Sequence, residues 1–144
     1  MNVIHCRQLT KNYGKKTVLK AVELAVAEGA FFGLVGMNGC GKSTLIKCLL
    51  DLTAIDAGEI RLSGRSHREV AARAAVAYLP DRFSPPGHLK AGDFMRYMLR
   101  LHGSRVDGNK LADTLQALGM DAAVLDLAVN KLSKGMTQKL GLAV

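Results

Sequence analysis

Three observations predict an α/β fold. Phe31–Val35 is a short apolar run suited to a buried strand, and it breaks into the glycine-rich segment Gly36-Met37-Asn38-Gly39-Cys40-Gly41-Lys42-Ser43-Thr44. An apolar helical pattern follows from Leu45. Two alternating segments precede this unit and read as strands, while leucine and methionine stripes at helical spacing dominate the later part of the chain.

The loop has the spacing G-x-x-x-x-G-K-[ST] in a strand–loop–helix setting, which predicts phosphate binding and a P-loop NTPase fold. A loop that wraps a triphosphate points successive backbone N–H groups inward, and side chains block that approach. Gly36, Gly39 and Gly41 remove the Cβ and permit positive φ, and Met37, Asn38 and Cys40 complete the loop. The helix starting near Lys42 adds the positive end of its dipole. Lys42 is expected to reach the β/γ-phosphates, Ser43 to offer its hydroxyl to Mg²⁺, and Thr44 to bond near the α-phosphate. A glycine-rich turn with a solvated lysine is the plainer alternative, and the flanking strand and helix argue against it. Cys40, a thiol near a helix N-terminus, is expected to react with alkylating reagents.

A length of 144 residues suits a single domain with one core, and an apolar fraction of 49% excludes a disordered chain. The net charge of +8 is spread along the sequence and by itself selects no partner among nucleotide, anionic membrane and nucleic acid. Cys6, Cys40 and Cys48 have no C-x-x-C spacing, so reduced thiols are expected rather than disulfides or zinc. His5, Arg7 and Gln8 interrupt any apolar leader at the N-terminus. No apolar run reaches the length needed to cross a bilayer, so a membrane role requires a partner.

Along the chain, Val3–Leu9 reads as a strand, Lys11–Lys16 as a turn, and Thr17–Val26 as a second strand ending at Glu28-Gly29. Together they predict an antiparallel β layer. Tyr13, beside a glycine in the turn, is either a platform for a flat base or an exposed aromatic with no partner. Glu59–Leu62 is a short strand, His67–Arg73 a polar helix, and Ala74–Leu79 a buried parallel strand. Asp81 follows that strand's carboxyl end, where ligands of doubly wound sheets sit, and is a candidate for nucleotide or Mg²⁺ contact. Asp93 is expected to cap a helix with Phe94, Tyr97, Met98 and Leu101 on one stripe, stopping at Gly103. Leu111, Leu115 and Leu118 form a second stripe ending at Gly119. Ser133 is a good N-cap, and Gly135 one turn in suggests a close approach at a helix start.

Three features together resemble the ATP-binding subunits of ABC transporters. Tyr13 looks like the aromatic that stacks on adenine, Gly36–Thr44 is a full Walker A match, and Leu132-Ser133-Lys134-Gly135-Met136 is similar to the signature motif LSGGQ, with Lys134 and Met136 as departures. The resemblance covers residues 1–144 as one ATP-binding domain. It implies a RecA-like core with its N-terminal antiparallel β layer over about 1–85 and an inserted α-helical subdomain with the signature over about 86–144. The wording at Tyr78-Leu79-Pro80 and at the signature looks closest to ATPases that pair with ABC-2-type exporters.

The resemblance implies ATP and Mg²⁺ as ligands, a polytopic permease as membrane partner, and a second ATP-binding domain as the other half of a head-to-tail dimer. It places the chain in the cytoplasm, on the inner face of the membrane through that permease. Ser133, Gly135 and Met136 would then contact ATP held by the opposite chain, Ser133 through its hydroxyl and Gly135 through a backbone N–H. Asp81 stands where the family usually has a glutamine, or in some exporters a glutamate, and aspartate is shorter than either and anionic. The family's Walker B strand, catalytic glutamate and switch histidine follow the signature helix, within which Val144 lies, and His5, His67, His88 and His102 are not at the switch position. This C-terminally truncated pattern predicts a chain that binds ATP without a catalytic residue for its hydrolysis, with exposed apolar edges at Phe31–Val35 and Ala74–Leu79. A P-loop nucleotide kinase gives no reason for the signature segment. A nucleic-acid-linked or regulatory ABC-type protein fits the charge, but lacks here the tandem domains or coiled coils usual in such proteins, so direct nucleic-acid binding is not expected.

Overall fold

The computed structural model describes residues 1–103 and 108–144, which fall into two units, Met1–Ala77 and Tyr78–Val144. In the first, β1 (Asn2–Tyr13) and β2 (Lys16–Ala27) form a hairpin, and β3 (Ala57–Leu62) and β4 (Arg65–Ser66) extend it. All neighbours are antiparallel, in the order β2-β1-β3-β4. The expected antiparallel β layer is therefore present. Its first strand runs on through Lys11–Tyr13, where the sequence suggested a turn, because Asn12 and Tyr13 pair with Thr17 and Lys16.

Alternation along the strands turns Cys6, Leu9, Leu19, Ile60 and Leu62 inward. They bury against Leu45 and Cys48 of α1 (Lys42–Leu49) and Ala72 of the short α2 (Val70–Arg73). Each buried leucine or isoleucine contributes about 1.5–3 kcal/mol relative to exposure. The hairpin is not regular. Gln8 and Ala21 adopt φ of 47° and 46°, and the register shifts on both sides of Leu9. Side chains take over where the ladder fails: Gln8 N–H and Gln8 Nε2 donate to Glu23 at 2.9 and 2.7 Å, and Ala21 N–H donates to Thr10 Oγ1 at 3.2 Å. The backbone N–H of Gln8 is the main reason the Glu23 carboxyl lies below its ordinary pKa.

At the C-terminal end of α1, Asp51 sits at φ 58° and pairs with Arg73 at 3.3 Å. Buried His67 faces the Ile60 carbonyl through Nδ1 at 3.2 Å, and its Nε2 lies 3.8 Å from the same Asp51. The second unit packs α3 (Ala91–Leu101), α4 (Gly108–Ala117) and α5 (Lys134–Leu142) around Phe94, Met95, Leu115, Met120 and Leu140, with 3₁₀ turns at Ala122–Asp126 and Val129–Lys131. Phe83 meets Phe94 edge-on at 5.9 Å, and the loop before α3 is stitched to 127–130 by Ala91 N–H to Leu127 O and Val129 N–H to Leu89 O, each 2.9 Å.

Several expectations are corrected. Phe31–Val35 and Ala74–Leu79 are not strands; both run mainly outside regular structure, with Phe31, Val35, Val76 and Tyr78 exposed. An apolar segment becomes a strand only beside a partner, and among the described residues none pairs with either. Exposed strand edges are therefore absent there, although the side chains of Phe31–Val35 and 74–78 are exposed and Leu79 is half-buried. Helix formation in His67–Arg73 is confined to its last turn. Asp93 does not cap α3: Lys90 holds the N-cap position, and Asp93 lies in the first turn, bound to Arg96 at 2.5 Å. On that helix Met95 is buried, whereas Tyr97 and Leu101 of the expected stripe are exposed.

Gly58 is the tightest point of the sheet. At φ +87°, a Cβ would fall 2.4 Å from the carbonyl oxygens of Arg7 and Gln8. We expect Gly58→Ala to destabilise the protein by about 3 kcal/mol or more, read as a lowered urea midpoint. A change below about 0.5 kcal/mol refutes this close approach.

Candidate nucleotide-binding site

The loop Gly36–Gly41 hangs from the exposed Phe31–Val35 segment and feeds directly into α1. Gly41 is the N-cap residue, at φ 101° and ψ 2°, a left-handed conformation that L side chains rarely adopt. Its Cβ position is closed as well, by Val18 O and Leu19 Cδ2, both 3.0 Å away. The start of α1 is thus pressed onto β2. The free N–H groups of the first turn, Lys42 to Thr44, face a cavity of about 300 Å³ whose wall also includes Val18, Asn38 and Gly39.

Lys42 folds back over the loop. Its ammonium donates to the carbonyls of Gly36 at 2.6 Å and Met37 at 2.8 Å, and stands 3.8 Å from Cys40 Sγ. These contacts hold the charge over the loop's mouth, while an ammonium has three donors and can exchange a carbonyl for a phosphate oxygen. Gly36 is less constrained than Gly41: a Cβ there would lie 2.8 Å from Cys40 Sγ, the end of an exposed side chain that can turn aside. Ser43 is exposed and Thr44 half-buried in the first turn. The arrangement brings a helix N-terminus and part of a glycine loop to one cavity, with a lysine ammonium on the adjoining loop backbone, which suits a polyphosphate.

Tyr13 ends β1 in the same unit, half exposed, with Lys11 Nζ 5.4 Å from its ring centroid. Lys11 and its partner Asp56, bound at 3.2 Å, were not singled out from the sequence. The i, i+2 spacing of Lys11 and Tyr13 on one strand was the available signal. Nothing in the sequence pointed to Asp56, which lies far along the chain.

Asp81 belongs to the second unit. It is exposed, and its backbone carbonyl accepts from Gln138 Nε2 at 2.8 Å. Ser133 does cap α5: its Oγ accepts from Met136 N–H at 3.2 Å, leaving the hydroxyl proton to be donated elsewhere. Ser133, Lys134 and Gly135 are exposed, whereas Met136 packs against the second core. The close approach anticipated at Gly135 is not made among the described residues: apart from its chain neighbours and its own helix backbone, none has an atom within 4 Å of its Cβ position.

The ABC transporter family profile matches residues 19–144. Among curated proteins, the chain is 30% identical over 146 residues to the uncharacterised ABC transporter ATP-binding protein YdbJ of Bacillus subtilis, covering 98% of this chain and 46% of that protein. It is 35% identical over 142 residues to the Nod factor export ATP-binding protein I of Paraburkholderia xenovorans, covering 94% and 46%. A solved Pyrococcus furiosus structure described as an ABC transporter ATP-binding protein superposes with a TM-score of 0.84 at 26% identity, covering 97% of this chain and 68% of that one. The chain belongs to the ABC transporter family, and its fold is that of the family's P-loop ATP-binding domains. It spans about half the length of the two curated relatives named above.

Cysteine chemistry offers a direct probe of the loop. Burial, helped by Cys48 and Glu23, pushes the Cys6 thiol up to about 11, and burial also raises Cys48, whereas Cys40 is exposed beside Lys42. N-ethylmaleimide is expected to label Cys40 and spare the other two by peptide mass mapping, and saturating ATP should slow the labelling. Equal rates with and without ATP contradict the placement of triphosphate in this loop.

Proposed function

We propose that this chain binds ATP with Mg²⁺ at Gly36–Thr44, as the nucleotide-binding part of an ABC transporter that couples ATP to transport by a membrane-spanning permease. The observation that carries this reading is the cavity that Asn38 and Gly39 of the loop share with the α1 start from Gly41 to Thr44, with the Lys42 ammonium bound to the loop's backbone beside it. Family membership and the export role stated for the Nod factor relative support the transport setting. No helix among the described residues is long and apolar enough to cross a membrane, so the transport path is assigned to the partner.

Mg²⁺ enters this reading with the nucleotide. Among the described residues no group of three His, Cys, Asp or Glu side chains is placed to hold a metal ion. Mg²⁺ takes few protein ligands when phosphates supply the rest, which fits Ser43 as an exposed hydroxyl at the helix start. We assign no residue of the chain to water activation. Replacing Lys42 by alanine is expected to weaken ATP binding roughly 10- to 100-fold, the loss of a charged hydrogen bond of about 1.5–3 kcal/mol. Isothermal titration decides it: equal affinity for ATP in the variant removes the basis of the proposal. Recovery of the tagged wild-type chain with a polytopic protein from solubilised membranes tests the transport half.

Ser133, Gly135 and Met136 are proposed to meet the ATP of a second ATP-binding domain. The exposed start of α5 and the open space at Gly135 support that role for the first two, while Met136 contributes its N–H to the cap. Gly135→Ala separates stability from assembly. Alanine favours the helix by up to about 1 kcal/mol, so the variant should melt at or above wild type. It should bind ATP normally at its own loop, yet lose ATP-dependent pairing in analytical ultracentrifugation. Pairing that survives the added methyl rules out close contact at Gly135.

A further inference from the structure

Beyond the loop itself, the first unit contains a polar linkage that the proposed ATP site does not yet use. The carboxylate of Asp56, just ahead of β3, accepts from the Asn12 backbone N–H and from Lys11 Nζ at 3.2 Å. The Asp56 N–H in turn donates to Thr10 O at 3.0 Å, and the Asn12 side chain accepts from Thr17 Oγ1 at 2.7 Å. The last residues of β1 are therefore gripped from both flanks. The Lys11 side chain is only 12% exposed, and its ammonium is tied to the Asp56 carboxylate. It lies over the Tyr13 ring, which remains half exposed.

We propose that Asp56 is a positioning residue for the nucleotide base: it anchors Lys11 and Asn12, so that Lys11 covers one face of Tyr13 and the opposite face is presented for stacking. The proposal rests on the ATP-binding reading above. The physical requirement is order. A flat ring gains most from stacking when its plane is fixed beforehand, because the entropy of ordering it is then not charged to binding. Without Asp56, the Lys11 ammonium loses its paired carboxylate and the Asn12 N–H loses its acceptor, so the strand end loosens. The Asn12 N–H, followed by Lys11, holds the Asp56 carboxyl below the usual aspartate range, so the grip is fully ionised at neutral pH.

The test compares ATP with inorganic tripolyphosphate, which fills the loop but has no base. In the full chain, Asp56→Ala is expected to weaken ATP about five- to tenfold and leave tripolyphosphate within about twofold. Asp56→Asn, which keeps an acceptor for Asn12 but not the charge facing Lys11, should fall between. In a Tyr13→Ala background, Asp56→Ala should produce no further loss of ATP affinity, since the ring it positions is gone. Equal weakening of both ligands marks Asp56 as general scaffold and overturns the proposal. So does unchanged ATP affinity in Asp56→Ala alongside a loss in Tyr13→Ala. A wild-type chain that binds neither ligand overturns the ATP-binding reading itself and this inference with it.

Discussion

A loop of backbone amides holds an anion only if the helix that continues it is fixed in space, and the first unit is arranged around fixing α1. Leu45 and Cys48 bury one face of that helix against the antiparallel sheet. Gly41 brings its first residue close to β2, where a Cβ would crowd Val18 and Leu19 and the left-handed backbone disfavours any side chain. At the other end, Asp51 turns the chain through a left-handed residue and pairs with Arg73. With both ends held, the N–H groups of the first turn and the Lys42 ammonium keep a common direction.

The sheet that provides this support is itself irregular. A regular hairpin would satisfy its amides by ladder bonds alone, but here bulges around Leu9 take several out of register. Glu23, Thr10 and Asp56 replace those bonds with side-chain acceptors. Two of the three are carboxylates, and the hydrogen bonds they accept lower their pKa values. Such polar grips are directional, so they set where Tyr13 and the bulged residues sit in a way that apolar packing does not.

The second unit handles its own helix start differently. Ser133 satisfies one amide of α5, while its neighbours Lys134 and Gly135 stay open to solvent. A glycine with space around it has no packing reason among the described residues. In α1 the glycine at the helix start is set by its left-handed backbone and the nearness of β2; in α5 the glycine meets open space among the described residues. That contrast gives the two glycine-bearing helix starts different physical roles.

Local pattern was enough to read α1, the glycine loop, the antiparallel pair and the Ser133 cap, because each depends on residues a few positions apart: periodicity, a missing Cβ, or a hydroxyl three residues before an amide. The Asp56 grip was not legible, since it joins residues 44 or more apart and nothing in either segment points to the other. Nor was the fate of Phe31–Val35 and Ala74–Leu79, whose composition is that of strands. A strand is defined by its neighbour's hydrogen bonds, and only the tertiary structure shows whether a neighbour is there. The sequence by itself determined the chemistry offered to a phosphate; the tertiary structure decided which side chains hold that chemistry in place, because distance in space is not written in order along the chain.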